Sequence, residues 1–242
     1  MKVAITIDLE HDCPPFLTTY RGVEEGVPRL LELFADEGVP ATFFCTGDVA
    51  RRYPGTVEAL VRGGHELGCH GDSHRRFSAM TESEARAEIE AASETLRRHY
   101  PVSSFRAPNL DLPERFLPLL AAARYRLDSS QGRHKQGSYL VRSHTRDGVR
   151  RVPASISPSP LRTPAPVRNA LCRLLGVLGD PAVLFFHPWE FVDMTKTPIP
   201  WDCRVRTGEP ALHHLRETIR HFRGRGARFV RMQDLADEKA AA

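Results

Sequence analysis

At 242 residues, with 41% hydrophobic and 26% charged positions, the chain is long enough for a sizeable core and has the composition of a globular protein. A net charge of +4, from 34 basic and 30 acidic residues in scattered short runs, argues against nucleic acid as a main partner. No stretch of about 18 consecutive apolar residues exists to span a membrane, and five cysteines without a CxxC pair argue against a disulfide framework.

Lys2–Ile7 is rich in β-branched residues and reads as a strand. Glu25–Glu37 places Leu30, Leu31 and Phe34 at helical spacing and stops at Gly38. Ala41–Cys45 is strand-like, Pro54–Arg62 is a helix closed by Gly63 and Gly64, and His65–Cys69 is a third strand. Thr81–Tyr100 is a helix opened by a capping box of Thr81 and Glu84 and ended by Pro101. Phe105–Pro108 follows as a strand end, Glu114–Ala123 as a helix and Arg124–Asp128 as a strand. Residues 130–165 are irregular and proline-rich, with short strands expected near Tyr139–Val141 and Val149–Val152. Val167–Leu178 is an amphipathic helix, Ala182–Phe186 a buried strand, and Pro210–Arg223 a helix with proline in its first turn. The basic run RHFRGRGAR at 220–228 reads as the solvated end of that helix. A last strand at Arg228–Met232 and a short helix at Met232–Ala236 complete the chain. Short apolar strands alternating with helices predict an α/β fold with a largely parallel sheet, in one domain.

The polar residues with chemical potential fall at strand C-termini, where α/β folds build their sites. Asp8, Glu10, His11 and Asp12 close the first strand, and His70, Asp72 and His74 follow HELGC. Arg106 follows Phe105, Asp128 ends RYRLD, and His187, Trp189 and Glu190 follow AVLFF. His70 and His74 have the spacing of two residues on one side of a helical turn, though a loop can also converge them. With eleven histidines in the chain, the pair alone is weak. Joined by a carboxylate from the first strand, it makes a two-nitrogen, one-oxygen set that leaves a coordination position open. Such a set suits zinc, and also admits cobalt, nickel or iron. His187 is lifted to the sheet edge by Pro188 and has the chemistry of a proton donor. Trp189 reads as a pocket wall, and Glu190 as either a partner of the site or a surface residue. Arg106 can fork onto a carboxylate. Asp128 can orient His187 or cap the segment that follows it.

Taken together, T-I-D at 6–8, H-G-D-S-H at 70–74, F-R-A-P at 105–108, R-L-D-S at 126–129 and F-F-H-P at 185–188 resemble the polysaccharide deacetylase family. That is the NodB-homology domain of carbohydrate esterase family 4. GVPATFFCTGDVARRYP at 38–54 and GGHELGCHGDSH at 63–74 add to the resemblance. It covers residues 3 to about 235, so a catalytic domain over 3–236 is expected. It implies a distorted (β/α) barrel of seven or eight strands and a metal-dependent amide hydrolase. In family terms Asp8 looks like the general base, His70 and His74 like metal ligands, and Arg106 like the residue orienting the base. His187 looks like the general acid, steadied by Asp128.

The family pattern has two adjacent aspartates after Thr-Phe, the second a metal ligand, whereas here Leu9 follows Asp8. On an extended strand Leu9 faces away while Asp8 and Glu10 share a face. Glu10 therefore takes the ligand role if the strand continues, and Asp12 takes it if the chain turns after Asp8. The Asp-x-acid version, with RGVEEGVPRLLELF at 21–34, is similar to a subgroup that includes deformylases of lipid-linked aminosugars. The expected substrate is an N-acylated sugar, oligosaccharide or lipid-linked sugar, with acetyl or formyl released. An allantoinase-like cyclic amide hydrolase and a non-catalytic carbohydrate-binding protein are the rival readings. MKVAITIDLE turns acidic too early for a signal peptide, so a cytoplasmic location is expected. The sequence leaves the oligomeric state open.

Overall fold

The computed structural model describes residues 1–133, 141–155, 159–178 and 181–237. The strand expected near Tyr139–Val141 falls largely outside these residues. The described strands are β1 (Lys2–Leu9), β2 (Thr42–Cys45), β3 (Glu66–Cys69), β4 (Ser104–Phe105), β5 (Leu127–Asp128), β6 (His144–Arg146), β7 (Val149–Arg151), β8 (Ala182–Phe186) and β9 (Arg228–Phe229). The helices are α1 (Val27–Glu37), α2 (Gly47–Arg52), α3 (Pro54–Arg62), α4 (Glu82–Arg97), α5 (Leu117–Ala122), α6 (Ala165–Leu178), α7 (Trp201–Arg204) and α8 (Glu209–Arg223).

The strands form one sheet in the order β6-β7-β5-β4-β3-β2-β1-β8, with β9 also pairing β1. Every pairing is parallel except β6 with β7. The sheet curls into the expected distorted barrel. Ser155, four residues after β7, bridges the open side. Its N–H donates to Val183 O (2.8 Å) and its hydroxyl accepts from Val183 N (2.9 Å).

The alternation of side chains along each strand divides the interior in two. In β1, Val3, Ile5, Ile7 and Leu9 pack into the large cluster beneath the helices, as do Phe43, Cys45, Leu67, Cys69, Phe105, Leu184 and Phe186. Residues of the opposite parity face the barrel axis. Of these, Ala4, Phe44, Leu127 and Val183 cluster with Met232 and Leu235, while Thr42 and Glu66 accept from the backbone N–H groups of Met232 and Gln233. Further along the same parity come Thr6, Asp8 and Glu10, then His70, Arg106 and His187. The pleat alone thus delivers the candidate site to the C-terminal mouth.

Most of the expected elements form, several with shorter strands. The capping box at Thr81 and Glu84 is present in full. Three elements were not expected: α2, β6 and the four-residue α7. α2 is only six residues long, too short for helical periodicity to show, and Thr46 caps it by accepting from Val49 N. β6 pairs with the expected β7 through Asp147–Gly148, both at positive φ, the backbone of a two-residue hairpin turn. A turn of π-helix, Gly22–Gly26, precedes α1. Gly22 is required there, because a Cβ would lie 2.4 Å from Trp189 N. This contact packs the turn against the segment after His187.

Candidate active site

Three ligand atoms, one each from Glu10, His70 and His74, lie within 4.8 Å of one another. Glu10 Oε2 stands 3.1 Å from His70 Nε2 and 2.5 Å from His74 Nε2. Glu10 extends the inward face of β1 by one step beyond Asp8. His70 follows directly on β3, and its Nδ1 bonds the Arg106 carbonyl at 2.8 Å. A carbonyl only accepts, so Nδ1 carries a proton, and Nε2 is the ring nitrogen that faces Glu10. His74 does not sit one helical turn above His70. Residues 70–74 form a loop, and His74 takes a left-handed backbone (φ 62°) to bring its ring back.

Burial alone would push the Glu10 carboxyl up. The charge of His74, with hydrogen bonds from His70 and His74, instead holds it well below the usual carboxylate range. Two inward imidazole nitrogens and one carboxylate oxygen are the donor set of a catalytic zinc site. The residues present therefore fit a divalent ion. Asp12, the alternative ligand, is fully buried but faces elsewhere. Its carboxylate accepts from Thr19 Oγ1 (2.7 Å), Arg21 N (2.8 Å) and Gly22 N (2.8 Å), which anchors the loop that leads to α1. His11 sets its ring edge-on to His74, 5.3 Å between centroids.

Asp8 is nearly buried and pairs with the fully buried Arg106, Nη1 to Oδ1, at 2.7 Å. The guanidinium does not fork onto Asp8 as expected. Nη1 also donates to Thr6 Oγ1 (2.8 Å), Nη2 donates to Ser129 Oγ (3.0 Å), and the Phe44 ring lies 4.3 Å away. Arg106 therefore holds one Asp8 oxygen and leaves the other disengaged from it.

Asp128 does not steady His187, which corrects the sequence expectation. Its Oδ2 accepts from Arg151 Nε (2.9 Å) and its Oδ1 from Ser130 N (3.0 Å) and Ser130 Oγ. Arg151, on the adjacent β7, captures it, while His187 follows β8 beyond the other edge of β1. Glu190 is the partner of His187, accepting from Nδ1 at 2.7 Å and from the His187 N–H at 3.2 Å. Its spacing in H-P-W-E is that of a capping box, a signal available in the sequence. Arg162 Nη2 lies 3.5 Å from the other Glu190 oxygen. Burial alone would lower the His187 pKa. The Glu190 hydrogen bond and the charges of Glu10, Glu190 and Asp8 outweigh burial and raise it to about 9. The protonated ring stacks on Trp189 (5.5 Å, 19°) and directs Nε2 toward Glu10 Oε1 at 3.8 Å.

A cavity of about 250 Å³ joins these groups, with Asp8, Glu10, His70, His74, His187 and Trp189 among its lining residues. Its rim includes Phe16, an exposed aromatic. All five cysteines are free, and no helix among the described residues is long and apolar enough to cross a membrane.

The structure is similar over 98% of the chain to a Mycobacterium smegmatis protein assigned to the polysaccharide deacetylases (TM-score 0.76, 22% identity, 88% of that chain covered). It is also similar to a CE4 family pseudoenzyme from Bacillus anthracis (TM-score 0.65, 16% identity, 99% of this chain and 66% of that one). At such identities the likeness is one of fold, and a pseudoenzyme on this fold shows that activity must be argued from side chains. In sequence, 58 residues are 43% identical to a Helicobacter pylori peptidoglycan deacetylase, 24% of this chain and 20% of that protein. The first curated relatives are matched over only 20 to 37% of their own length. The sequence model of the polysaccharide deacetylases matches residues 2–127, just over half of the chain, and on that match the chain belongs to the polysaccharide deacetylase family.

Proposed function

We propose that residues 3–236 act as a metal-dependent hydrolase that removes an N-acetyl or N-formyl group from an amino sugar in a glycan or a lipid-linked intermediate. The observation that carries this reading is the Glu10–His70–His74 cluster sharing one cavity with Asp8 and His187. The polysaccharide deacetylase family match and the peptidoglycan deacetylase name of a relative support the N-deacetylase class. Glu10, His70 and His74 would hold the ion, most plainly zinc. Such an ion supplies Lewis acidity and brings the pKa of water down toward about 7.

The remaining work falls to the chain's own residues. Asp8 takes the proton of the attacking water at the oxygen that Arg106 leaves disengaged. Arg106 keeps that carboxylate aimed by donating to its other oxygen, while Thr6 and Ser129 fix the guanidinium by accepting from it. His187 donates a proton from Nε2 to the leaving amine nitrogen, and Glu190 holds the ring from behind through Nδ1. Trp189 walls the cavity beside the proton donor and keeps solvent from it.

The test is metal content combined with product analysis. The purified chain is expected to take up about one zinc per molecule and to release acetate or formate from some of a panel of N-acyl sugars, chitooligosaccharides and peptidoglycan fragments. A chain that takes up no divalent ion on titration would instead be a carbohydrate-binding protein, and turnover of allantoin alone would move the activity to cyclic amides. Asp8→Asn is expected to keep its zinc while losing about 10²- to 10⁴-fold in kcat, the range of a general base. Full activity in that variant would remove Asp8 from the role.

A further inference from the structure

Glu88 lies on α4, outside the cavity, and no strand-end pattern draws attention to it. Its side chain is nonetheless nearly buried and turned onto the loop between the two histidines. Glu88 Oε1 accepts from Asp72 N (2.9 Å), from Ser73 N (2.6 Å) and from Ser73 Oγ (2.9 Å), and Oε2 accepts from the same hydroxyl (3.0 Å). Two successive backbone N–H groups immediately before His74 are thus fixed by one carboxylate. The loop needs such fixing. Gly71 and His74 both have positive φ, a backbone that a non-glycine residue such as His74 keeps only where surrounding contacts hold it. A Cβ at Gly71 would also come within 3.3 Å of Glu88 Oε1, so the carboxylate is packed directly against the turn. The other anchors reach different parts of the loop. Gly47 N and Asp48 N donate to the carbonyls of Gly71 and Asp72 (3.0 Å each), and Arg51, half-exposed, forks onto the Asp72 side chain (2.6 and 3.0 Å).

We propose that Glu88 is a positioning residue for the metal centre, holding the 72–73 backbone so that His74 Nε2 stays within ligand distance of Glu10 and His70. The inference rests on the reading of those three residues as the metal site. It assigns Glu88 no contact with substrate or ion. Groups behind metal ligands commonly set affinity by 10- to 100-fold, because without them the ligand must be ordered at the moment of binding.

Zinc titration of the metal-free chain against a chromophoric chelator tests this. Glu88→Gln keeps one carbonyl acceptor but replaces the second oxygen with a donor facing the Ser73 hydroxyl. Its zinc Kd is expected to rise about 10- to 100-fold. Saturating zinc is expected to restore acetate or formate release, because Asp8 and His187 are undisturbed. Ser73→Ala removes only the hydroxyl contacts and is expected to weaken zinc binding by a smaller factor, which keeps the test decisive should Glu88→Gln fail to fold. A native chain that binds zinc, with Glu88→Gln or Ser73→Ala binding it equally tightly, would overturn the positioning role and leave the metal reading intact. A native chain that binds none would overturn both. Loss of activity in Glu88→Gln that saturating zinc does not repair would also count against the proposal.

Discussion

Glu10→Ala is expected to leave a folded chain that no longer retains zinc, while Asp12→Ala is expected to retain it. Glu10 supplies the only carboxylate oxygen of the cluster, and two imidazoles without it make an incomplete site. Activity should fall by more than the roughly 100-fold that follows loss of a mere supporting partner. Asp12→Ala should behave in the opposite sense. It strips three donors of their buried acceptor, with an expected stability cost of roughly 2–4 kcal/mol, read as a lowered Tm. Its metal content should stay near one per chain. Metal analysis with thermal melts of both variants separates the two acids, and an Asp12→Ala chain that loses zinc while Glu10→Ala keeps it would transfer the ligand role.

The second large effect is expected at the proton donor. His187→Ala should keep its metal and lose about 10²- to 10⁴-fold in kcat, the usual contribution of a positioned acid. The pH dependence carries the sharper information. His187 is raised to about 9 despite burial, chiefly through the Glu190 hydrogen bond and the neighbouring carboxylates. A general acid works while protonated, so the rate should hold at neutral pH and fall as pH rises through about 9. Glu190→Gln removes the first of the raising causes and should move that alkaline limb toward lower pH. The same shift links to stability. A folded pKa above the ordinary 6.5 contributes stability that is complete below about 6.5 and lost as pH rises through about 9. An alkaline limb that stays in place in Glu190→Gln would mean that another group governs the proton donor.

The outcome at Asp8, Glu10, Asp128 and Glu190 shows how far a single chain can be read. Leu9 between the two acids departs from the family pattern, yet the two-residue spacing is what places Asp8 and Glu10 on one face of β1. That inference needs only the pleat, a local property. The partner of His187 was a different kind of question. Asp128 and Glu190 are both acids at or just beyond a strand end, and nothing local ranks Asp128 below Glu190 except the H-P-W-E spacing. Likewise, the His70–His74 interval allows a helical turn or a converging loop, and the chain uses the loop, held by a carboxylate from α4. Short elements escaped for a related reason, since six residues of α2 are fewer than two helical turns.

By itself, then, the sequence determined the alternation of strands and helices, the strand ends that carry the polar groups and, once the strand continues past Asp8, the shared face of Asp8 and Glu10. All of these follow from periodicities and turn chemistry that act within a few residues. The tertiary structure alone decided which charges meet. Arg151 takes Asp128 because β7 lies beside β5, Asp12 is drawn to the turn before α1, and Glu88 of α4 reaches the loop between His70 and His74. These pairings join residues 7 to 23 positions apart, beyond the reach of a single turn or pleat. They are set by strand register and barrel curvature, properties of the whole sheet that no local pattern encodes.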